Sequence, residues 1–206
     1  MAKSKKTYHH GDLRNSLLLA AEQLLEQKGV GAVSLREVAK VAGVSHSAPY
    51  RHFSDKNALL AGLAIVGYGR LADEMEKCVT EQPDDPVKQL SSSAKAYVSL
   101  AIQHPQMTNL IFGGGLNKLC YEGTLNEESE RAFNGLLKII QNGQLAGLYI
   151  EKESQELALF VWSLAHGFSM LITAGQLGEL SDDKKAIEIM VSSMGDMILN
   201  GIAINK

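Results

Sequence analysis

Apolar side chains recur every three or four residues along nearly the whole chain, the spacing of amphipathic helices rather than strands. Leu13, Leu17, Ala20, Ala21, Leu24 and Leu25 form the first such stripe, and Gly29 stops it as a C-cap would. Ser34-Leu35-Arg36-Glu37 has the form of a capping box, in which the hydroxyl takes an orphan amide and the carboxylate reaches back. It opens a short helix with Leu35, Val38 and Ala39 inward, stopped at Gly43. Ser45 or Ser47 can cap the next helix, with Pro49 in its first turn, where amides lack partners in any case. A longer helix begins at Ser54 or Asp55 and carries Leu59, Leu60, Leu63, Val66 and Leu71 towards Pro83.

The residues from Pro83 to Pro86 read as a turn. Beyond it the pattern predicts a helix from Val87 to Gln103, a restart at Pro105, and an end or kink at Gly113-Gly114-Gly115. Those glycines do not form a phosphate loop, since no strand precedes them and no Lys-Ser/Thr follows. A second capping box, Thr124 to Glu127, opens a helix to about Gly143. Two long helices follow, 155–176 and 182–200, joined by a polar turn at Leu180 to Asp183. The predicted fold is all-α, without internal repeats or low-complexity tracts.

One stretch has the length of a membrane span. Leu157 to Gly178 contains no Asp, Glu, Lys or Arg, but it includes Ser163, His166, Gly167, Ser169, Thr173 and Gln176, and no basic cluster follows it. It reads as a helix buried inside protein, so no membrane partner is expected. The opening MAKSKKTYHHGD has lysines but no apolar run, unlike a signal peptide. Cys78 and Cys120 are the only cysteines and lack metal-ligand spacing. A reducing, cytoplasmic location is expected, with no zinc site, no disulfide framework and no cofactor. With 45% apolar residues, a chain of 206 residues can build a sizeable core.

Charge is distributed unevenly. Residues 1–56 hold nine Lys and Arg against five Asp and Glu, a net of +4, so the total of −3 leaves −7 on the remaining 150 residues. A basic head on an acidic body fits a polyanion-binding module on a soluble carrier. The two short helices around Gly43-Val44 outline a helix-turn-helix, whose second helix would enter the DNA major groove while the first crosses the backbone. His46, Ser47 and Ala48 are slim enough to approach base edges. Tyr50, Arg51, His52 and Lys56 offer donors for phosphate oxygens, and Phe53 is the apolar anchor of the segment. Ser34 and Arg36, at the start of the first helix, complete the candidate DNA-binding set; Arg36 either touches phosphate or pairs on the surface with Glu37. His9 and His10 belong to a DNA-proximal arm reaching the minor groove, to a metal-binding pair or to a solvated tail, the metal reading being the least favoured.

Residues from about 11 to 71 resemble the DNA-binding head of TetR-family transcriptional regulators. The resemblance lies in AAEQLLEQKG, in SLREVAKVAGVS and above all in PYRHFSDKNALL, with Tyr50, His52, Phe53, Lys56 and Leu59 in the family's order. It implies phosphate contacts from Tyr50, His52 and Lys56, and base contacts from His46 to Ala48. Pro49 stands where an aliphatic residue is usual, and Arg51 where an aromatic is common. The body resembles the WHG-type C-terminal domain of some such regulators through Trp162-Ser-Leu-Ala-His166-Gly167, and the opening Tyr8 to Arg14 points the same way. This divides the chain into an arm at 1–10, a head at 11–71 with its motif at 34–53, and an effector-binding and dimerisation domain at 72–206.

The same resemblance implies a repressor that binds a near-palindromic operator on double-stranded DNA as a homodimer and is released by a small molecule. Tyr97, Met107, Leu110, Ile111, Phe112, Cys120, Phe133, Trp162 and His166 are the candidate effector lining, or simply core; their character suits an apolar or aromatic ligand. Leu157, Phe160, Val161, Leu164, Phe168 and Leu171 line the helical face opposite Trp162 and His166. With Ile187, Met190, Val191, Met194 and Ile198 they would form a four-helix dimer interface from the last two helices. No Ser-His-Asp or paired-carboxylate spacing is present, so no enzyme is expected. The alternatives are a constitutive helical DNA-binding protein without an effector, and a small helical enzyme or binding protein.

Overall fold

A computed structural model describes residues 10–113, 116, 124–181 and 183–202. Eight helices appear among them: α1 (His10–Lys28), α2 (Leu35–Val41), α3 (Lys56–Glu81), α4 (Pro86–Gln103), α5 (Pro105–Phe112), α6 (Thr124–Leu145), α7 (Ser154–Thr173) and α8 (Lys184–Ile202). Short 3₁₀ turns lie at Val30–Ala32, Pro49–Arg51 and Gly178–Ser181, and no β-strand occurs among the described residues. The architecture is the expected all-α one. The chain divides into two compact units, one of residues 1–66 with 106–125 and one of residues 67–105 with 126–206. The first unit takes in α5 together with the N-terminal helices.

In the first unit, α1 buries Leu17, Ala21, Leu24 and Leu25 and packs on α2. Ser34 caps α2 by accepting the Glu37 amide at 3.2 Å, and Leu35, Val38 and Ala39 face inward as their spacing predicts. Gly43 ends α2 at φ +67°, a left-handed conformation that glycine adopts without steric cost. The Val44 amide then donates to Ala39 O at 3.0 Å and the Gly43 amide to Lys40 O, the paired bonds of a Schellman cap. Asp55 caps α3 through the Ala58 amide at 2.8 Å. α3 continues past the unit boundary at Val66.

In the second unit, α4 packs against α7 and α8. One core cluster gathers Leu90, Leu136, Ile139, Ile140, Tyr149, Leu157, Val161 and Ile198; another gathers Val98, Ile172, Ile187 and Val191. The buried Gln89 amide is satisfied by Gln82 O at 2.7 Å and by the Asn142 side chain at 2.9 Å. Arg131 on α6 binds α3 through Gly69 O and Asp73 and also pairs with Glu128.

Several expectations about faces and ends need correcting. α6 does not stop at Gly143 but runs to Leu145, and Gly147, at φ +65°, is the residue that caps it. α7 spans 154–173 rather than 155–176, and α8 spans 184–202 rather than 182–200. The face attributed to Leu157, Phe160, Val161, Leu164, Phe168 and Leu171 is really two. Leu157 and Val161 are buried in their own subunit, Phe168 is half-buried, and Phe160, Leu164 and Leu171 point outward. On α8, Ile187, Val191 and Ile198 are likewise core and Met190 and Met194 half-buried, while Ile189 and Met197 are exposed. A helix apolar all round gives periodicity no polar side from which to choose its inward direction.

Cys78 is a free, buried thiol on α3, and Cys120 lies outside the described residues. Burial pushes the Cys78 thiol above its ordinary range, and the charges of Glu74 and Glu81 add to that shift. Since the thiolate is the reactive form, iodoacetamide should alkylate Cys78 in the native protein at least roughly tenfold more slowly than in denaturant. Mass spectrometry of the Cys78 peptide checks this.

Candidate nucleic-acid interface

The motif's second element is not the α-helix the sequence predicts. The Ala48 amide donates to Ser45 O at 3.0 Å, Arg51 to Ala48 O at 3.3 Å and His52 to Pro49 O at 2.9 Å, each an i to i−3 bond. Pro49 is the physical reason. It has no N–H for the carbonyl of Ser45, and in an α-helix its ring would crowd that carbonyl, so the chain takes tight 3₁₀ bonds instead. The segment remains fixed because Pro49 and Phe53 are buried beneath it.

That geometry sorts the side chains. His46, Ser47, Tyr50 and Arg51 are exposed, while Ala48 and His52 are half-covered. The hydroxyls of Ser45 and Ser47 lie 3.2 Å apart and hydrogen-bond each other, which holds the tip around His46. On the preceding helix Arg36 is exposed, and Ser34 accepts the Glu37 amide as the cap, which leaves its O–H to donate. Lys56 is exposed, and its ammonium donates to Val30 O at 2.9 Å. An ammonium has three donors, so Lys56 can tie the loop after α1 to the start of α3 and still meet a phosphate. Arg14 was not among the expected residues. Its guanidinium lies over the Phe53 ring at 5.4 Å from the centroid, a cation–π contact on the element that carries the turn. A cation near the N-terminus of α1 opposes the helix dipole, and that was the available sign of a role outside α1 itself.

The candidate effector residues are drawn from both units. Tyr97, Phe133, Trp162 and His166 come together in the second unit. The Tyr97 hydroxyl pairs with His166 Nδ1 at 2.9 Å and accepts the Trp162 indole N–H at 3.3 Å. Phe133 meets Trp162 edge-on at a centroid distance of 6.2 Å. Burial pushes the Tyr97 phenol up to about 12 and lowers His166, so both are neutral at neutral pH. Met107, Leu110 and Ile111 are buried on α5, in the first unit, with Phe112 half-buried beside them in sequence. Cys120 lies outside the described residues. A groove of about 590 Å³ runs between α4 and α8, over Val98, Ile187 and Val191, and among the described residues none of the expected lining reaches it. Among the described residues, no three His, Cys, Asp or Glu side chains gather to hold a metal ion.

A helix-turn-helix with exposed donors, carried by an otherwise helical chain, defines a DNA-binding protein of the regulator class. Residues 17–63 match the family model described as bacterial regulatory proteins, tetR family, and residues 90–194 match that of the tetracyclin repressor-like C-terminal domain. The chain belongs to the TetR family and is a DNA-binding transcriptional regulator. It is 28% identical over 187 residues to the HTH-type transcriptional regulator YobS of Bacillus subtilis (strain 168), covering 91% of each chain. It is 28% identical over 162 residues to the HTH-type transcriptional repressor BepR of Brucella suis biovar 1 (strain 1330), covering 72% of this chain and 76% of that one. A solved structure of a protein from Rhodococcus sp. RHA1 is 32% identical with a TM-score of 0.84, covering 97% of this chain and 100% of that one. These relatives that carry functional names are regulators rather than enzymes.

Proposed function

We propose that the chain is a cytoplasmic, ligand-responsive repressor. It binds a near-palindromic operator as a homodimer and is released by an uncharged apolar or aromatic effector. The observation that carries this reading is the turn from Ser45 to Phe53, which buries its two non-donor anchors and exposes donors. In the proposed docking, His46, Ser47 and Ala48 meet base edges, while Tyr50, His52, Lys56 and Arg36 hold phosphates; Arg51 can serve either purpose. Ser34 acts by starting α2 in the right place. Two heads about 34–36 Å apart would occupy successive major grooves. The repressor named among the relatives supports the sense of regulation.

The effector's character is argued from neutral groups. Tyr97, Trp162 and His166 offer hydrogen bonds without charge, next to Phe133. An ionic ligand there would lose its hydration without a counter-charge from these four side chains. The subunit interface is proposed on the outward side of α7 and α8, where Phe160, Leu164, Leu171, Ile189 and Met197 are exposed.

Substitutions separate the two kinds of DNA contact. Tyr50→Ala combined with His52→Ala should weaken binding by roughly 10- to 100-fold on every duplex tested, since two phosphate hydrogen bonds of about 1 kcal/mol or more are lost. Ser47→Ala or His46→Ala should instead change the ranking of duplexes by about 1–3 kcal/mol at one base pair. Fluorescence anisotropy on a panel of single-base variants of a selected duplex distinguishes these outcomes. An unchanged affinity for the Tyr50/His52 double variant would remove the proposed phosphate surface.

A further inference from the structure

Glu26 sits in the last turn of α1, where a carboxylate opposes the helix dipole and a cation such as Lys28 is the favoured residue. Its two oxygens are both engaged elsewhere: one accepts the Met107 amide at 3.0 Å and the other the Gln106 amide at 3.2 Å. These are the first two N–H groups of α5, because its opening residue, Pro105, has none. A helix of eight residues is marginal by itself, so its position depends on such anchors. We propose that Glu26 is a positioning residue that ties α5 to the DNA-binding head, so that a displacement of one is felt by the other.

The route on the head side is short and rigid. Twelve residues before Glu26 on the same helix is Arg14, about 18 Å away along the axis, stacked on Phe53 at the end of the recognition turn. α5 in turn buries Met107, Leu110 and Ile111, three of the candidate effector-lining residues of the sequence. A ligand pressing on them would therefore act on a helix already fastened to α1. This consequence rests on the ligand-responsive reading above, whereas the tie itself does not.

The test is hydrogen–deuterium exchange on the full chain, free and bound to a duplex selected by the protein from a random library. In the wild type, duplex binding should slow exchange in the peptide covering 104–112. In Glu26→Ala, the free protein should exchange that peptide roughly five- to tenfold faster through loss of the cap. Adding duplex should then no longer slow it, while duplex affinity stays within about threefold of wild type. Glu26→Gln, whose amide oxygen can keep one of the two bonds, should fall between. If the Glu26→Ala peptide slowed on duplex addition as in the wild type, or the wild-type peptide ignored the duplex, the tie would be wrong. If the expected exchange pattern holds but no uncharged aromatic compound in a screen weakens duplex binding, the tie stands and the ligand-responsive reading falls instead.

Discussion

A protein carrying Leu164→Glu together with Leu171→Glu is expected to be monomeric, normally folded, and weaker by at least about 100-fold on a two-half-site operator. Both leucines are 40% or more exposed in the isolated subunit, so glutamate there disturbs no internal packing. They share a stripe with Phe160, with Gly167 between them, and no atom lies within 4 Å of where a Cβ on Gly167 would be. A helix that is apolar outward as well as inward needs a second covering, and in the proposed homodimer a second subunit would supply it by two-fold symmetry. On α8, Ile189 and Met197 are also exposed, 61% and 68% accessible, and the proposed interface would cover them as well. The two substitutions place four buried carboxylates in a symmetric dimer, each costing several kcal/mol if it stays charged. A monomer engages one half-site and loses the effective-concentration advantage of the second, commonly worth about 10²–10⁴. Sedimentation equilibrium and duplex titration read both effects, and circular dichroism checks the fold. Persistence of the dimer would remove this face from the interface.

The same experiment bears on α7 as a membrane span. Its length and composition suffice to cross a bilayer, and only 33% of its most apolar window is buried in the subunit. Ser163 and Gly167 on the outward side, and the bonded Trp162 and His166 on the other, are what a helix between protein surfaces carries. A soluble monomeric double variant is the outcome that the protein–protein reading requires.

What the sequence made legible depended on how local the determining physics is. Ser34, Gly43 and Asp55 act through bonds spanning a few residues, and the ends they set were readable directly. The inward side of α2 was readable because Arg36, Glu37 and Lys40 mark its polar side. α7 offers no such mark, so its spacing does not separate the buried Leu157 and Val161 from residues that point the other way. Pro49 is plain in the sequence, but its effect on the turn is not: one missing donor is enough to turn a short helix into 3₁₀ bonding. Lys56, Glu26 and Arg131 are surface charges by sequence, and only folding brings Val30 O, the α5 amides and Gly69 O to them.

Gly143 is the clearest case of a non-local role hidden behind a local one, and its substitution should have the largest effect on stability. Read in sequence, it ends α6. In the fold it lies inside the helix, and a Cβ there would be 2.0 Å from Tyr149 Cε2 and 2.1 Å from Cδ2. Tyr149 is 1% exposed, and its hydroxyl donates to Pro86 O at 2.9 Å, so the ring has no vacant space to enter. Gly143→Ala should therefore lower unfolding free energy by about 3–5 kcal/mol, the scale of a lost buried ring contact and an orphaned carbonyl. This outweighs the roughly 1 kcal/mol that alanine gains over glycine within a helix. Gly201→Ala, also helical but with nothing within 4 Å, should be neutral or slightly stabilising and isolates the propensity effect. In a Tyr149→Ala background the ring is gone, and Gly143→Ala should then cost nothing or stabilise. That reversal of sign, measured by urea unfolding as a double-mutant cycle, assigns the cost to the ring rather than to the helix. A Gly143→Ala penalty that survived in the Tyr149→Ala background would place the cause in the α6 backbone instead.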